Sequence, residues 1–145
     1  MHFVSKLVGH RPNAAVLVLR LVVGLVFLVH GIQKLGGMDQ TIGFFQAIGI
    51  PAAAFFAWVV ALVETLGGIA LIIGIGTHIA SVLLAVVMLV AIFTVKLSKG
   101  FSGGYEFDLV LLASLIGFIL NGAGKISLDA KCKCDNCQVT PPAQM

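Results

Sequence analysis

The chain has 145 residues, 59% hydrophobic and 10% charged, and a mean hydropathy of +1.10, which excludes an ordinary water-soluble domain and demands a lipid bilayer as partner. Its formal net charge of +3 is small and scattered, and it carries no Gly-rich phosphate loop or dinucleotide fingerprint. Nucleic acid is therefore excluded as a partner.

The first apolar run, 14–35, is close to the ~20 residues a helix needs to cross the hydrocarbon layer, yet it carries Arg20, His30 and Lys34. Its long apolar core is interrupted by Arg20 and no small-residue cleavage site follows, so it is expected to stay as a signal anchor, with the mature chain beginning near Met1. The stretch MDQTIGFFQAIGIP then reads as a short helix along the membrane interface. Asp39 is its expected N-cap, Ile42, Phe45 and Ile48 share one face, Gly49 stops it, and Pro51 opens the next helix.

The second run, 52–73, has Glu64 in its interior. The turn GIGTH after it is so short that the third run, 78–97, must lie antiparallel beside the second. Lys96 ends that run, SKGFSGG forms a loop, and the fourth run, 105–123, opens with Glu106 and Asp108 and closes near Asn121. The expected fold is all-α: a polytopic, up-down-up-down four-helix membrane bundle with a short interfacial helix between the first and second spans. Residues 1–13 form an N-terminal segment, 14–125 the membrane domain and 126–145 a tail.

Four spans put both termini on one side, with Lys6, Arg11, Lys125, Lys131 and Lys133. The opposite side holds Lys34, Lys96 and Lys99. The positive-inside rule then favours cytoplasmic termini.

Counting ~1.5 Å per residue from each interface places Arg20 at ~9 Å, Glu64 at ~12 Å and Asn121 at ~7 Å from the inner face. These three are expected to form an inner polar layer in which Arg20 pairs with Glu64. A second, outer layer gathers His30, Lys34, Lys96, Glu106 and Asp108. Glu64 is too short to reach either interface, so it must be paired, hydrogen-bonded or protonated. A functional polar site and an ion pair that only fixes helix register both remain open for these residues.

The segments LRLVVGLVFLVHGIQKL, FFQAIGIP, ALVETLGGIALIIG, GGYEFDLVLL and NGAGKISLD, in this order from Val16 to Asp129, resemble the DoxX family of small four-helix bacterial and archaeal membrane proteins. The resemblance implies a multi-pass protein of the cytoplasmic (inner) membrane, an oxidoreductase component, with relatives among subunits of thiosulfate:quinone oxidoreductase. Beside the charged residues already named, it points to Gly31, Gly122, Gly124, Ser127 and Asp129. The closing motif departs from the family's usual form, with Ala123 and Lys125 where proline and arginine are common.

A quinone headgroup needs donors for its two carbonyls and groups that carry protons. His30, Lys34 and Lys96 can donate, and Glu106 or Asp108 can relay. No residue set here holds electrons, so a soluble or membrane redox partner must supply them. The leading expectation is a redox-associated, quinone-facing subunit. A carrier or channel for a sulfur species or ion, and a non-catalytic assembly protein, are the alternatives, and a homo-oligomer is compatible with all three.

The tail carries Cys132, Cys134 and Cys137 as C-x-C-x-x-C. Three thiolates suit a soft metal, with Asp135, water or a neighbouring subunit as fourth ligand. Thiol redox cycling by Cys134 and Cys137, and an idle tail, are the other readings.

Overall fold

The computed structural model describes residues 12–129. Helix α1 covers Pro12–Gly36, the short α2 Met38–Ala47, α3 Ala53–Ile73, α4 Thr77–Ala91 and α5 Glu106–Asn121. Between α4 and α5 the chain makes a wide π-helical turn at Ile92–Lys96, a tight turn at Leu97–Lys99 and a second wide turn at Phe101–Tyr105. Four helical stretches, Asn13–Gly36, Ala53–Ile73, Thr77–Lys99 and Phe101–Asn121, are long and apolar enough to span a membrane.

Only 28–33% of the residues in these spans are buried within the bundle. The outward faces carry Leu25, Phe55, Leu62, Leu66, Ile79, Phe93 and Val110, all exposed. In water so much apolar surface would aggregate; against acyl chains it costs nothing, so the protein is a multi-pass membrane protein.

Helices must then be drawn together by close packing rather than by the hydrophobic effect. On α1 and α3 glycines do this. A Cβ on Gly31 would lie 2.6 Å from the Thr65 nitrogen, one on Gly68 2.6 Å from the Leu28 nitrogen, and one on Gly24 3.1 Å from the Ile72 nitrogen. These contacts fix an antiparallel register in which residue 31 faces 65, 28 faces 68 and 24 faces 72. Gly67 on α3 likewise receives Leu84 of α4, whose side chain would lie 3.0 Å from an added Cβ. The main core, with Val23, Phe27, Leu71, Leu84, Leu115 and Phe118, fills the bundle between these seams.

Helix α2 lies over the end of α3. Phe45 is buried with Ala53 and Ala57, flanked by Met38, Ile42, Ile48 and Ile50. Its ends differ from expectation. Gly37 is the N-cap and makes no side-chain capping bond, so Asp39 falls inside the first turn. Gly49 does leave the helix with φ of +77°. Pro51 does not open α3; Ala52 intervenes in the left-handed conformation with φ of +50°, because the chain must fold back sharply from α2 to start α3.

Candidate functional site

The packing register decides which charges meet. Stepped toward the termini, it brings Arg20 level with the turn after α3, not with Glu64. A Cβ on Gly74 would lie 2.7 Å from an Arg20 guanidinium nitrogen. The expected Arg20–Glu64 pair is therefore not formed. Arg20, 1% exposed, donates from Nη1 to the Ala123 carbonyl at 2.5 Å and from Nη2 to the Ile126 carbonyl at 3.0 Å. Depth counted from the onset of each apolar run failed because α1 and α3 are staggered along their axes, so that Arg20 lies level with the turn beyond Ile73.

Asn121 also leaves the expected inner layer. It is exposed and donates to the Gly117 carbonyl of its own helix at 2.9 Å. Around Arg20 the residues of the closing motif form a knot instead. Gly122 and Gly124 turn the chain with φ of +72° and +74°. Ser127 donates to the Gly124 carbonyl at 2.8 Å. Asp129 accepts from the Gly76 nitrogen at 2.9 Å and the Thr77 nitrogen at 3.2 Å. The carboxylate thereby satisfies free donors at the start of α4, where the helix dipole also favours negative charge. This capping role is not visible in one-dimensional spacing, since 52 residues separate the partners.

Stepped the other way, the register carries Lys34 to within one turn of Glu64. Lys34 Nζ donates to Glu64 Oε2; the carboxylate side chain is 4% exposed and the lysine side chain 25%. Gly31, one turn before Lys34, allows the approach by letting the two backbones touch. Glu64 thus belongs with the residues assigned to the outer layer.

A second pair lies across the bundle. Lys96 Nζ is 2.9 Å from Asp108 Oδ2, with side chains 34% and 8% exposed. Asp108 sits in the first turn of α5, again at a positive helix end. Lys96 ends the π-helical turn, a wide turn that swings it off the α4 track, and such turns gather at functional sites. The contact is made off hydrogen-bond angle, and Asp108 Oδ2 accepts no hydrogen bond among the described residues.

His30 Nδ1 lies 2.8 Å from the Val26 carbonyl. A carbonyl only accepts, so Nδ1 carries the proton and Nε2 is left to accept in the neutral ring. Glu106, expected among the outer charges, folds back instead. It is exposed and accepts from the Gly103 nitrogen at 2.9 Å, bracing the loop.

Lys34, Glu64, His30, Lys96 and Asp108 all line one cavity of about 640 Å³. Its other walls are apolar, from Val26 and Phe27 of α1, Val60 of α3, Val87 and Met88 of α4 and Leu111 of α5. Phe44, Phe45, Ile48 and Ile50 form its roof. The roof was missed in the sequence because α2 reads as a peripheral interfacial helix; its FFQAIGIP motif was the available signal. An apolar cleft of this volume with a few converging polar groups is the usual form of a small-molecule site.

The cysteine tail, Cys132, Cys134 and Cys137, lies outside the described residues. Among the described residues no group of three or more His, Cys, Asp or Glu is placed to hold a metal ion.

Comparison with known proteins agrees with this architecture. The family model named DoxX matches residues 15–97. A Bacillus subtilis protein named "Putative oxidoreductase CatD" is 43% identical over 113 residues, 78% of this chain and 83% of that one. An uncharacterised membrane protein of Mycobacterium tuberculosis, Rv3486, is 39% identical over 131 residues, covering 81% of this chain and 80% of its own. An uncharacterised Haemophilus influenzae protein is 27% identical over 135 residues, 88% of this chain and 89% of its own. No solved structure matches significantly.

Proposed function

We propose, from the premise that the chain belongs to the DoxX family, that it binds a quinone in this cavity and serves as the membrane subunit of a redox system. The observation that carries the reading is the convergence of two lysine–carboxylate pairs and a histidine on one otherwise apolar cavity. A quinone is a flat apolar ring with a carbonyl at each end. The cavity offers it apolar walls, ammonium donors at Lys34 and Lys96, and the imidazole of His30 beside them.

Each pair has a further use. When a carbonyl oxygen gains negative charge on reduction, an ammonium already held in place by its carboxylate stabilises that charge without rearrangement. Glu64 and Asp108 are the carboxylates that keep the two ammonium groups in position. We assign the supply of electrons to a partner, a soluble or peripheral redox protein. By the distribution of lysine and arginine, we place the termini in the cytoplasm and the chain in the cytoplasmic membrane.

The carrier or channel alternative has less support. Between the cavity and the Arg20 end stand Leu71, Leu84 and Leu115, each 0% exposed, and so dry and close-packed a core does not suit an ion path. The test of the proposed function is organic extraction of the purified protein followed by chromatography. Quinone recovered in near-stoichiometric amount from the native chain, and lost from a Glu64→Gln, Lys96→Gln double variant, is the expected result. Equal recovery from both would refute it.

A further inference from the structure

We infer that the ligand reaches the cavity sideways from the bilayer, through the seam between α3 and α4, and is therefore a tailed, lipid-borne quinone whose chain stays in the seam. The inference rests on the quinone reading above and adds its route and its tail.

The seam is tight near the turn that joins the two helices and open above it. At the tight end Gly67 takes the Leu84 side chain directly against its backbone. Stepping upward antiparallel from that contact pairs Glu64 with Val87, Val60 with Ala91 and Phe56 with Val95. All six of these residues line the cavity. The positions where the helices would interlock, had they stayed in contact, thus border empty space.

That space reaches the lipid side. Val59 on α3 and Val86 and Val90 on α4 line the cavity and are also 38%, 53% and 49% exposed. These residues lie within their spans, where the solvent is acyl chain. On the side of α2 the cavity is roofed by contrast. Phe45, Ile48 and Ile50 roof the cavity and pack down onto Ala53, Ala57 and Val60 in one apolar cluster. A polar solute arriving on that side would have to cross that layer, whereas a molecule dissolved in the membrane meets the apolar side chains of Phe56, Val59, Val86 and Val90.

Size points the same way. About 640 Å³ suffices to enclose a ring headgroup and the start of a chain, on the scale of ordinary small-molecule sites. A long polyprenyl chain exceeds it and has to leave through a wall. The seam is the wall already apolar on both faces.

The experiment uses the full chain in lipid nanodiscs and two probes: a benzoquinone with a polyprenyl chain and the same ring without one. Binding is followed for the native protein, for Val90→Trp and Val59→Trp in the seam, and for Val110→Trp, which is 64% exposed on α5 and outside the cavity lining. The expected result is that both seam variants slow association of the tailed probe by about tenfold and that of the smaller tail-less ring by less, and that Val110→Trp changes neither. Equal association of the tailed probe with seam and control variants overturns the lateral route while leaving quinone binding standing. Failure of the native protein to bind either probe overturns the quinone reading and the route together.

Discussion

Lys34, near the end of the first helix, closes an ion pair with Glu64, buried halfway along the third. The two partners are unequal: the lysine is a quarter exposed and can turn toward the surface, while the carboxylate is almost fully enclosed. Losing one partner therefore has different consequences from losing the other. Lys34→Met leaves an unpaired buried carboxylate and is expected to destabilise the fold by about 3 kcal/mol. Glu64→Gln leaves a lysine that can re-solvate and should cost less than half as much. Thermal unfolding in a mild detergent measures both, and equal losses would contradict the buried-carboxylate geometry. The double variant Lys34→Met, Glu64→Leu should recover most of the stability lost in Lys34→Met, and none of the ligand binding.

Arg20 spans two backbone carbonyls, Ala123 and Ile126, that close the termini-side end of the bundle. A lysine has the charge but not the planar fork, so it can hold one carbonyl and release the other. Arg20→Lys is expected to lower stability by about 2 kcal/mol. Limited proteolysis should then cut near residues 122–129 sooner than in the native protein, with quinone binding unchanged.

Asp129 caps the first amides of α4. Asp129→Ala leaves those donors unsatisfied and should cost about 1 kcal/mol, read from the same unfolding assay. Hydrogen exchange at Gly76 and Thr77 should rise, and exchange at the far end of α4 should not.

Helix glycines are not equivalent. At Gly31 a methyl group would meet the Thr65 backbone, whereas at Gly117 nothing lies within 4 Å. Gly31→Ala should force α1 from α3, costing about 2 kcal/mol and loosening the Lys34–Glu64 pair. Gly117→Ala should be neutral or stabilising by up to about 1 kcal/mol. Similar melting of the two variants would show that the helix seam is not where the structure puts it.

Hydropathy alone was enough to read the four-span, all-helical architecture, because a stretch of apolar residues long enough to cross a bilayer has few other uses. Gly24, Gly31 and Lys34 fall on one stripe of α1, and it is this stripe that meets α3. What failed was the axial register. Apolar runs mark where lipid begins, but the offset between two helices is set by which glycine meets which backbone, and no single segment contains that information. An offset of about three turns moved Arg20 to the closing motif and gave Glu64 to Lys34. Glu106 and Asp108, two residues apart, cannot share a helix face; only Asp108 faces the cavity. Asp129 was reached through the family resemblance, without its capping role.

The central claim is that the Lys34–Glu64 and Lys96–Asp108 pairs hold a quinone between them. Its most direct measurement is a titration of a short-chain benzoquinone into the native protein in nanodiscs, with Glu64→Gln, Lys96→Gln and, as a remote control, Arg20→Lys. The account predicts saturable binding by the native chain, a loss of about tenfold in affinity, or ~1.4 kcal/mol, for each cavity variant, and native affinity for Arg20→Lys. Binding that is absent, unsaturable or identical in all four proteins would contradict it.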